Sequence, residues 1–498
     1  MEPERPFDPA FEAPVILDRG RHPVSRRDID PDALKVLYRL SNHGLTAYLV
    51  GGAVRDLLLG RRPADFDVGT NARPNQIKKL FRNAFLIGRR FRLAHIKFHG
   101  GKTIEVSTFR RKPDPEELEA EREELERRAR DEAEAAAAAE AVTETAETAA
   151  EPQECAEDLP EHREDPEPPD REDAPLPGRR PGRPPIKPIA FGTPREDAFR
   201  RDLTINALFY DIATFSVIDY VGGLEDLELR RVRIIGDPDE SYAEDPVRIW
   251  RVLRHAARLG FSIEERTAAA IPRHRERLSA CPGSRLFEEL NKDIKTGNSR
   301  PFFEAARAHG VLPLVLGGFG AFYERDDAAF SRLTALLAAH DAAVASGAPL
   351  PLDVAYALLL WPWAAPLLPA LEGDKVKPLY DLFRETKPAA LVPKILLYDA
   401  VQTLAIVEQM IQALETGKMR WSLKKRPHYP GASQLASLLL EGSFGEGEDP
   451  FAALYDRKFG SSHGPGPRPS ASGDDRPRPR RRRRRKPKKP APPSDRPA

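Results

Sequence analysis

At 498 residues the chain is long enough for two or three domains, and its 78 Lys and Arg against 77 Asp and Glu leave a formal net charge of only +1, a cancellation between segments of opposite sign. Its two cysteines exclude a disulfide framework or a zinc-binding spacing. No apolar run reaches the ~18 residues of a membrane span, and Met1 to Asp18 is acidic and proline-containing where a signal peptide is basic and then apolar, so a cytoplasmic protein without a membrane partner is expected.

In chain order, residues 1–20 read as disordered and residues 21–112 as the first part of a head. Tyr48–Val50 is a strand that ends at Gly51-Gly52, followed by a helical turn carrying Arg55 and Asp56 and a stop at Leu57-Leu58-Leu59-Gly60. Glycines let a phosphate approach the backbone, the helix start offers free N–H groups, and Arg55 supplies a fork of donors. Phe66–Val68 reads as the next strand. Strand side chains alternate, so Asp65 and Asp67 share one face while Phe66 and Val68 face packing. Two carboxylates on one face suit a hard divalent cation shared with nucleotide phosphates. An Asp-x-Asp pair on its own is commonly a turn or a cap; the order of strand, glycines, arginine and acidic pair sets this one apart.

Gly88-Arg89-Arg90-Phe91-Arg92 follows, a cationic cluster that suits a triphosphate or an RNA backbone, or else a solvated surface. His95 reads as a packing histidine. Ile104–Phe109 is a strand on which Glu105 opposes two β-branched residues, either completing a three-carboxylate site as metal holder or proton acceptor, or standing as an exposed edge glutamate. Residues 113–187 form an acidic, proline-rich insert with too few large apolar residues for a core; within it Glu116–Glu140 has the pattern of a polar, solvated helix.

The head resumes over residues 188–235, where Arg200-Arg201-Asp202 abuts the apolar run Leu203–Leu208, and Leu208–Tyr210 or Val217–Tyr220 reads as a strand. Beyond Asp237 the periodicity is helical to about Leu440, giving an α+β head followed by an all-α remainder. Glu244-Asp245-Pro246-Val247-Arg248 opens a helix, with Asp245 as cap and Pro246 at its start. Arg248, Arg251, His255 and Arg258 fall on one side of it, expected as an exposed basic face, and Ile249, Val252, Leu253 and Ala256 on the other. An Asp and an Arg fixed at a helix start can present an acceptor and a donor to a base edge. The chain closes on a basic tail, Arg476–Lys489, that includes Arg480, Arg481, Arg482 and Arg483 and would bind polyanions without reading sequence.

Together these motifs strongly resemble the bacterial poly(A) polymerases, in the class II branch of the polymerase-β-like nucleotidyltransferases that also holds the CCA-adding enzymes. The resemblance runs over roughly Val24–Lys292. Leu49-Val50-Gly51-Gly52-Ala53-Val54-Arg55-Asp56 is similar to the family's triphosphate-contacting motif and Asp65-Phe66-Asp67 to its metal pair. Arg200-Arg201-Asp202 resembles the motif whose Asp is counted as catalytic and whose arginines grip nucleotide, and Glu244–Arg248 with Arg251 the base-selecting helix. Leu86-Ile87-Gly88-Arg89-Arg90-Phe91-Arg92-Leu93-Ala94-His95, the leader Val24–Ile29 and the basic tail resemble the poly(A) polymerase side of the branch. The acidic insert is longer than the family's.

The resemblance implies a nucleotidyltransferase head with a mixed five-stranded sheet, a helical neck at 236–300, a body at 301–445 and a disordered tail at 446–498. It implies template-independent transfer of AMP from ATP to RNA 3′ ends, with Asp65 and Asp67 holding two Mg²⁺ and Glu105 or Asp202 as third acid. Gly51, Gly52, Arg55, Arg200, Arg201, Asp245, Arg248 and Arg251 would bind nucleotide, and Arg89, Arg90, Arg92 and the tail arginines RNA. A monomer acting alongside RNA-degradation machinery or an Sm-like RNA chaperone is implied. The alternatives are CCA addition to tRNA and an RNA-binding protein without catalysis, though no damage to Asp65, Asp67 or Arg55 is visible.

Overall fold

The structure is a computed structural model that describes residues 13–87, 93–112, 190–444 and 449–460, with isolated positions from 114 to 130. Arg89, Arg90, Arg92, Arg480–Arg483 and most of the insert lie outside the described residues. Within the expected polar helix, Glu116, Glu119, Glu123, Arg127 and Arg130 are helical and exposed.

Eight strands form one mixed sheet, where the family resemblance implies five: β1 (Val15–Leu17), β2 (Ala47–Val50), β3 (Asp67–Thr70), β4 (Ala84–Ile87), β5 (Leu93–Lys97) and β6 (Thr103–Thr108), then β9 (Leu208–Asp211) and β10 (Ser216–Asp219); β1 corrects the reading of residues 1–20 as disordered, because it pairs with β10. Between these two groups, β7 (Arg110–Arg111) pairs antiparallel with β8 (Ala190–Phe191). The insert therefore leaves and re-enters the fold at neighbouring points, which lets a long segment be accommodated without stretching the head. The sheet order is β1-β10-β9-β2-β3-β6-β5-β4; β3 and β6 run parallel and the other neighbours antiparallel. Both Leu208–Tyr210 and Val217–Tyr220, offered as alternatives, contribute strands, paired as a hairpin. The strands not expected are short apolar runs such as Ala84-Phe85-Leu86-Ile87, whose pattern does not separate strand from buried helix.

Alternation orients the sheet. Ile104, Val106 and Thr108 of β6 are buried, so Glu105 and Ser107 stand on the opposite face. Below the β2–β9 junction, Tyr48, Phe109, Phe209 and Tyr220 make edge and tilted ring contacts at 5.8–6.2 Å within a core that includes Val50, Ala198 and Val221. Helix α1 (Pro31–Asn42) starts where the Asp30 carboxylate accepts from Asp32 N at 2.8 Å and buries Ala33, Val36, Leu37 and Leu40.

From Asp237, which caps helix Pro238–Glu244, the chain is almost entirely helical, as the periodicity predicts, apart from the two-residue strand Ser262–Ile263. Helix Val247–Leu259 ends at Gly260 in the left-handed region (φ 69°). Its Trp250 packs on Phe302 at 4.6 Å between ring centres. Residues 1–405 and 406–498 form separate compact units. In the second, helices Tyr429–Glu441 and Pro450–Phe459 are tied at Asp449, which accepts from Tyr429 Oη at 3.0 Å and Ser433 Oγ at 2.9 Å; the second helix, which buries Phe451 and Tyr455, corrects the reading of a disordered tail from residue 446. Among the described residues no single helix is long and apolar enough to cross a membrane.

Candidate active site

A cleft of about 530 Å³ opens where β2, β3 and β6 meet helix Val247–Leu259, and Gly51, Gly52, Arg55, Asp65, Asp67, Glu105, Arg200, Arg201, Asp202, Asp245, Arg248 and Arg251 all line it. The structure thus brings together every catalytic and nucleotide-binding candidate from the sequence. Strand register explains the acidic side. Val50 pairs with Asp67, which sets Asp67 beside the Gly51 turn, and Val68 pairs with Val106 in the parallel neighbour, which sets Asp67 next to Glu105. Asp65 precedes β3 instead of lying within it, so its place beside Asp67 comes from the incoming loop.

Asp67 reaches solvent at the cleft floor but is ringed by protein. Burial, then the negative charges of Glu105 and Asp65, push its carboxyl up to about 6 against the pull of Arg201. Among the described residues neither Asp65 nor Asp67 has an ion-pair partner. Glu105 has a close neighbour: His95, directly opposite it across β5 and β6, brings Nε2 to 3.6 Å. The expectation of a packing histidine is corrected here. His95 is half-buried on the cleft face of the sheet, because the β5–β6 register places it on the same side as Glu105.

The arginines are held by a residue the sequence did not single out. Asp197, 2% exposed, accepts from Arg200 at 2.8 Å and Arg201 at 3.0 Å, and from Arg110 N at 3.1 Å. Burial raises the Asp197 carboxyl, but Arg201 and Arg200 outweigh it and hold it below its ordinary range. The Thr193-Pro194-x-Glu196 capping box, which starts the helix that carries Asp197 toward both arginines, is the sequence signal for it. Arg201 also donates to the Asn206 carbonyl at 3.2 Å and lies where a Cβ on Gly51 would come within 3.2 Å. With φ at 71°, position 51 suits glycine on both counts.

Arg55 is 2% exposed, with its guanidinium occupied by Asp56 at 2.8 Å, Asn206 Oδ1 at 2.5 Å and His255 Nδ1 at 3.3 Å. Burial and the Arg55 charge press the His255 imidazole well below its ordinary range, so it is neutral at pH 7. Asp202 accepts from Arg251 Nε and from Leu203 N; burial raises its carboxyl, but Arg251 holds it well below the usual range. Asp245 accepts from Val247 N at 3.3 Å, as expected of a cap, and from Arg285 at 2.6 Å. Arg248 donates to Ser241 Oγ at 2.7 Å.

The expected exposed basic face of helix Val247–Leu259 forms the cleft wall instead, since Arg248, Arg251, His255 and Arg258 all line the cleft. Arg254, one step round, is buried against Glu289 and Asp293. Eight arginines and six carboxylates line the cleft. Because Asp56, Asp202 and Asp245 are each paired with arginine, the open negative charge is concentrated at Asp65, Asp67 and Glu105, facing a cationic wall.

An acidic pair on adjoining strand and loop, opposite arginines and a glycine turn, defines a nucleotidyltransferase. Residues 47–233 match the family model described as the poly A polymerase head domain, and residues 260–319 that described as "Probable RNA and SrmB- binding site of polymerase A". Poly(A) polymerase I of Salmonella typhimurium strain LT2 is 35% identical over 85% of this chain and 81% of its own length. Poly(A) polymerase I of Escherichia coli O157:H7 is 33% identical over 86% and 82%. A CCA-adding enzyme of Bacillus pumilus is 31% identical over 53% of this chain and 49% of its own. The Bacillus stearothermophilus CCA-adding enzyme, solved in complex with CTP, shares the fold at a TM-score of 0.53 and 19% identity, over 87% of this chain and 83% of that one. The chain belongs to the poly(A) polymerase family.

Proposed function

We propose that the protein adds AMP from ATP to RNA 3′ ends without a template, and that this links it to RNA turnover. The observation that carries the proposal is the pair Asp65 and Asp67, without ion partners among the described residues, opposite a wall of anchored arginines. The donor set fits a hard divalent cation. Two carboxylates with no cation of their own, one raised by burial and then by crowded negative charge, are short of positive charge. Among the described residues no three such groups converge to enclose an ion, which suits a cation that shares its coordination with substrate phosphates. Asp65 and Asp67 would hold two Mg²⁺, whose chemistry is to neutralise charge developing on the transferred phosphoryl group.

The protein's own groups supply the positioning. Asp197 locks Arg200 and Arg201 where they meet triphosphate oxygens, which removes most of the entropy cost of ordering two long side chains at binding. Arg55, occupied by Asp56, Asn206 and His255, acts as the post that fixes the glycine turn against the head. Asp202 holds Arg251, and the two serve as one unit at the base-selecting helix. Asp245 and Arg248, each anchored by a neighbour, offer an acceptor and a donor to adenine. Glu105 completes the acidic floor. Arg89, Arg90, Arg92 and the tail arginines Arg480–Arg483 are assigned to RNA backbone on their charge.

We assign residues 21–112 and 188–235 to the catalytic head, 236–300 to the neck and 301–445 to the body, with a cytoplasmic, monomeric protein. RNA-degradation machinery or an Sm-like RNA chaperone is the partner that the family resemblance implies. The test incubates an RNA primer with each nucleoside triphosphate separately and Mg²⁺, and sizes the product. Long products with ATP alone are expected. Extension of tRNA that stops after C-C-A, with efficient use of CTP, would select the reading favoured by the CCA-adding relatives.

A further inference from the structure

Phe66 lies between the two cleft carboxylates in sequence, yet it lines a different cavity, of about 550 Å³, together with Arg27, Arg61 and Arg62. The three arginines are exposed, and among the described residues none has an ion-pair partner. Two separate segments deliver them. In the leader, Val24 at 6% and Ile29 at 2% exposure are anchored in the core, and Asp28 N donates to Ser25 O at 3.0 Å; this tight turn leaves Arg27 pointing outward. After helix α2 (Gly52–Leu58), Gly60 at φ 65° reverses the chain and Arg61 N donates to Asp56 O at 2.8 Å, which turns Arg61 and Arg62 to the same space. A helix C-terminus favours nearby cations. That accounts for Arg61 and Arg62 but not for Arg27, which comes from another element.

The remaining polar groups leave the cavity cationic. Asp30 is taken up by Lys102 and by the cap of α1, which leaves Asp28 as the one lining carboxylate set against three guanidinium groups. Arginines around a partly exposed aromatic ring are the combination that binds single-stranded nucleic acid, phosphates on the guanidinium groups and a base on the ring. Phe66 is half-buried and lines the cavity.

We propose that this second cavity is a primer-strand site: Arg27, Arg61 and Arg62 take backbone phosphates of the RNA behind its 3′ end, and Phe66 takes the face of a base. The inference rests on the reading that the protein extends RNA. Phe66 stands between Asp65 and Asp67 in the chain and lines this cavity with the three arginines, so a strand held here lies against the segment that carries both carboxylates.

The experiment measures binding of a short oligoadenylate ending in 3′-deoxyadenosine, which cannot be extended, to the full chain by fluorescence anisotropy across a salt series. The triple variant Arg27→Ala, Arg61→Ala, Arg62→Ala is expected to raise Kd roughly tenfold and to lower the slope of log K against log salt by about 2, since each lost phosphate contact on a single strand removes ~0.7. The triple lysine variant keeps the charge and is expected to restore most of that slope. Phe66→Leu is expected to weaken the same RNA by about fivefold or more through lost stacking. Thermal midpoints within a degree or two of the unsubstituted protein, about the shift expected of changes at exposed positions, show that the variants fold.

Unchanged RNA affinity and salt slope in the alanine variant would overturn the proposal. An equal loss of affinity for ATP or pyrophosphate would overturn it too, since the cavity would then hold a free phosphate compound. If the unsubstituted enzyme binds this RNA but extends no primer, the proposed function fails while the cavity remains measurable.

Discussion

Asp67 and Asp202 begin from the same chemistry and are driven apart by their surroundings. Burial and then its carboxylate neighbours raise Asp67 to about 6, whereas Asp202 is clasped by Arg251. Substitution should separate them. Asp67→Asn, which keeps shape and removes the cation-holding charge, is expected to slow primer extension on the order of 10³-fold or more with RNA affinity nearly intact; extension at close to the normal rate would remove Asp67 from the chemistry. His255 gives a prediction in pH. Its folded pKa lies well below the ordinary 6.5, so the unfolded chain takes up the proton first as pH falls. The neutral imidazole thus costs nothing above about pH 6.5, and stability is lost progressively below it. A His255→Gln variant should lose less stability than the unsubstituted protein between about pH 6.5 and pH 5, as followed by urea midpoints at each pH.

At the scale of elements, helix Val247–Leu259 does two jobs on two faces. Its cleft face carries Arg248 and Arg251. Alanine at Arg248 or at Asp245 is expected to erode the preference for ATP over the other nucleotides more than it weakens RNA binding, because an unpaired buried partner costs about 1–3 kcal/mol; kcat/KM for each nucleoside triphosphate measures this, and a preserved ATP preference would leave the helix a structural wall. Its inner face carries Arg254, 8% exposed, which donates to Asp293 and Glu289, while Trp250 Nε1 donates to Asp293 at 2.7 Å. Burial raises the Asp293 carboxyl even with these donors present. Arg254→Ala leaves Asp293 buried without its cation and Glu289 with Lys292 alone, and is expected to destabilise the first unit by roughly 3–5 kcal/mol, whereas Arg254→Met with Asp293→Asn should recover part of that loss in urea unfolding.

For the whole molecule, the near-zero net charge hides an acidic insert that interrupts the head and a basic tail at the other end of the sequence. The tail Arg476–Lys489 carries eight Arg and three Lys and is expected to contribute affinity by releasing counterions from phosphate without reading bases. Its deletion should weaken RNA binding uniformly across sequences and flatten the salt dependence. The insert competes for the same tail if the two attract, so deletion of residues 116–172 should tighten RNA binding at low salt, and deletion of the tail as well should abolish that gain. Screening over about 8–10 Å at physiological salt makes the effect modest there; unchanged affinity at low salt after the first deletion would mark the insert as a solvated linker. The ends of the insert meet at the β7–β8 pair, so a short glycine-serine bridge can replace it without pulling on Arg110 or Asp197.

The sequence by itself determined the local grammar: the strand that ends at Gly51-Gly52, the acidic residue Asp67 at the start of the next strand, and the amphipathic helix after Asp245. Each depends on alternation, backbone freedom or charge density within a few residues, which chain order carries directly. It also supplied every catalytic and nucleotide-binding candidate now found lining the cleft. Only the tertiary structure decided which charges remain available. Arg55 meets Asn206 across 151 residues, Asp202 meets Arg251 across 49, and His95 faces Glu105 because two strands pair in one register. Asp197 went unnoticed because an acidic residue beside a helix cap looks like surface until burial makes it the anchor of two arginines. Ion pairing and desolvation depend on distance in space and not along the chain, so the division between paired and open carboxylates arises only once the sheet and the helix have closed on each other.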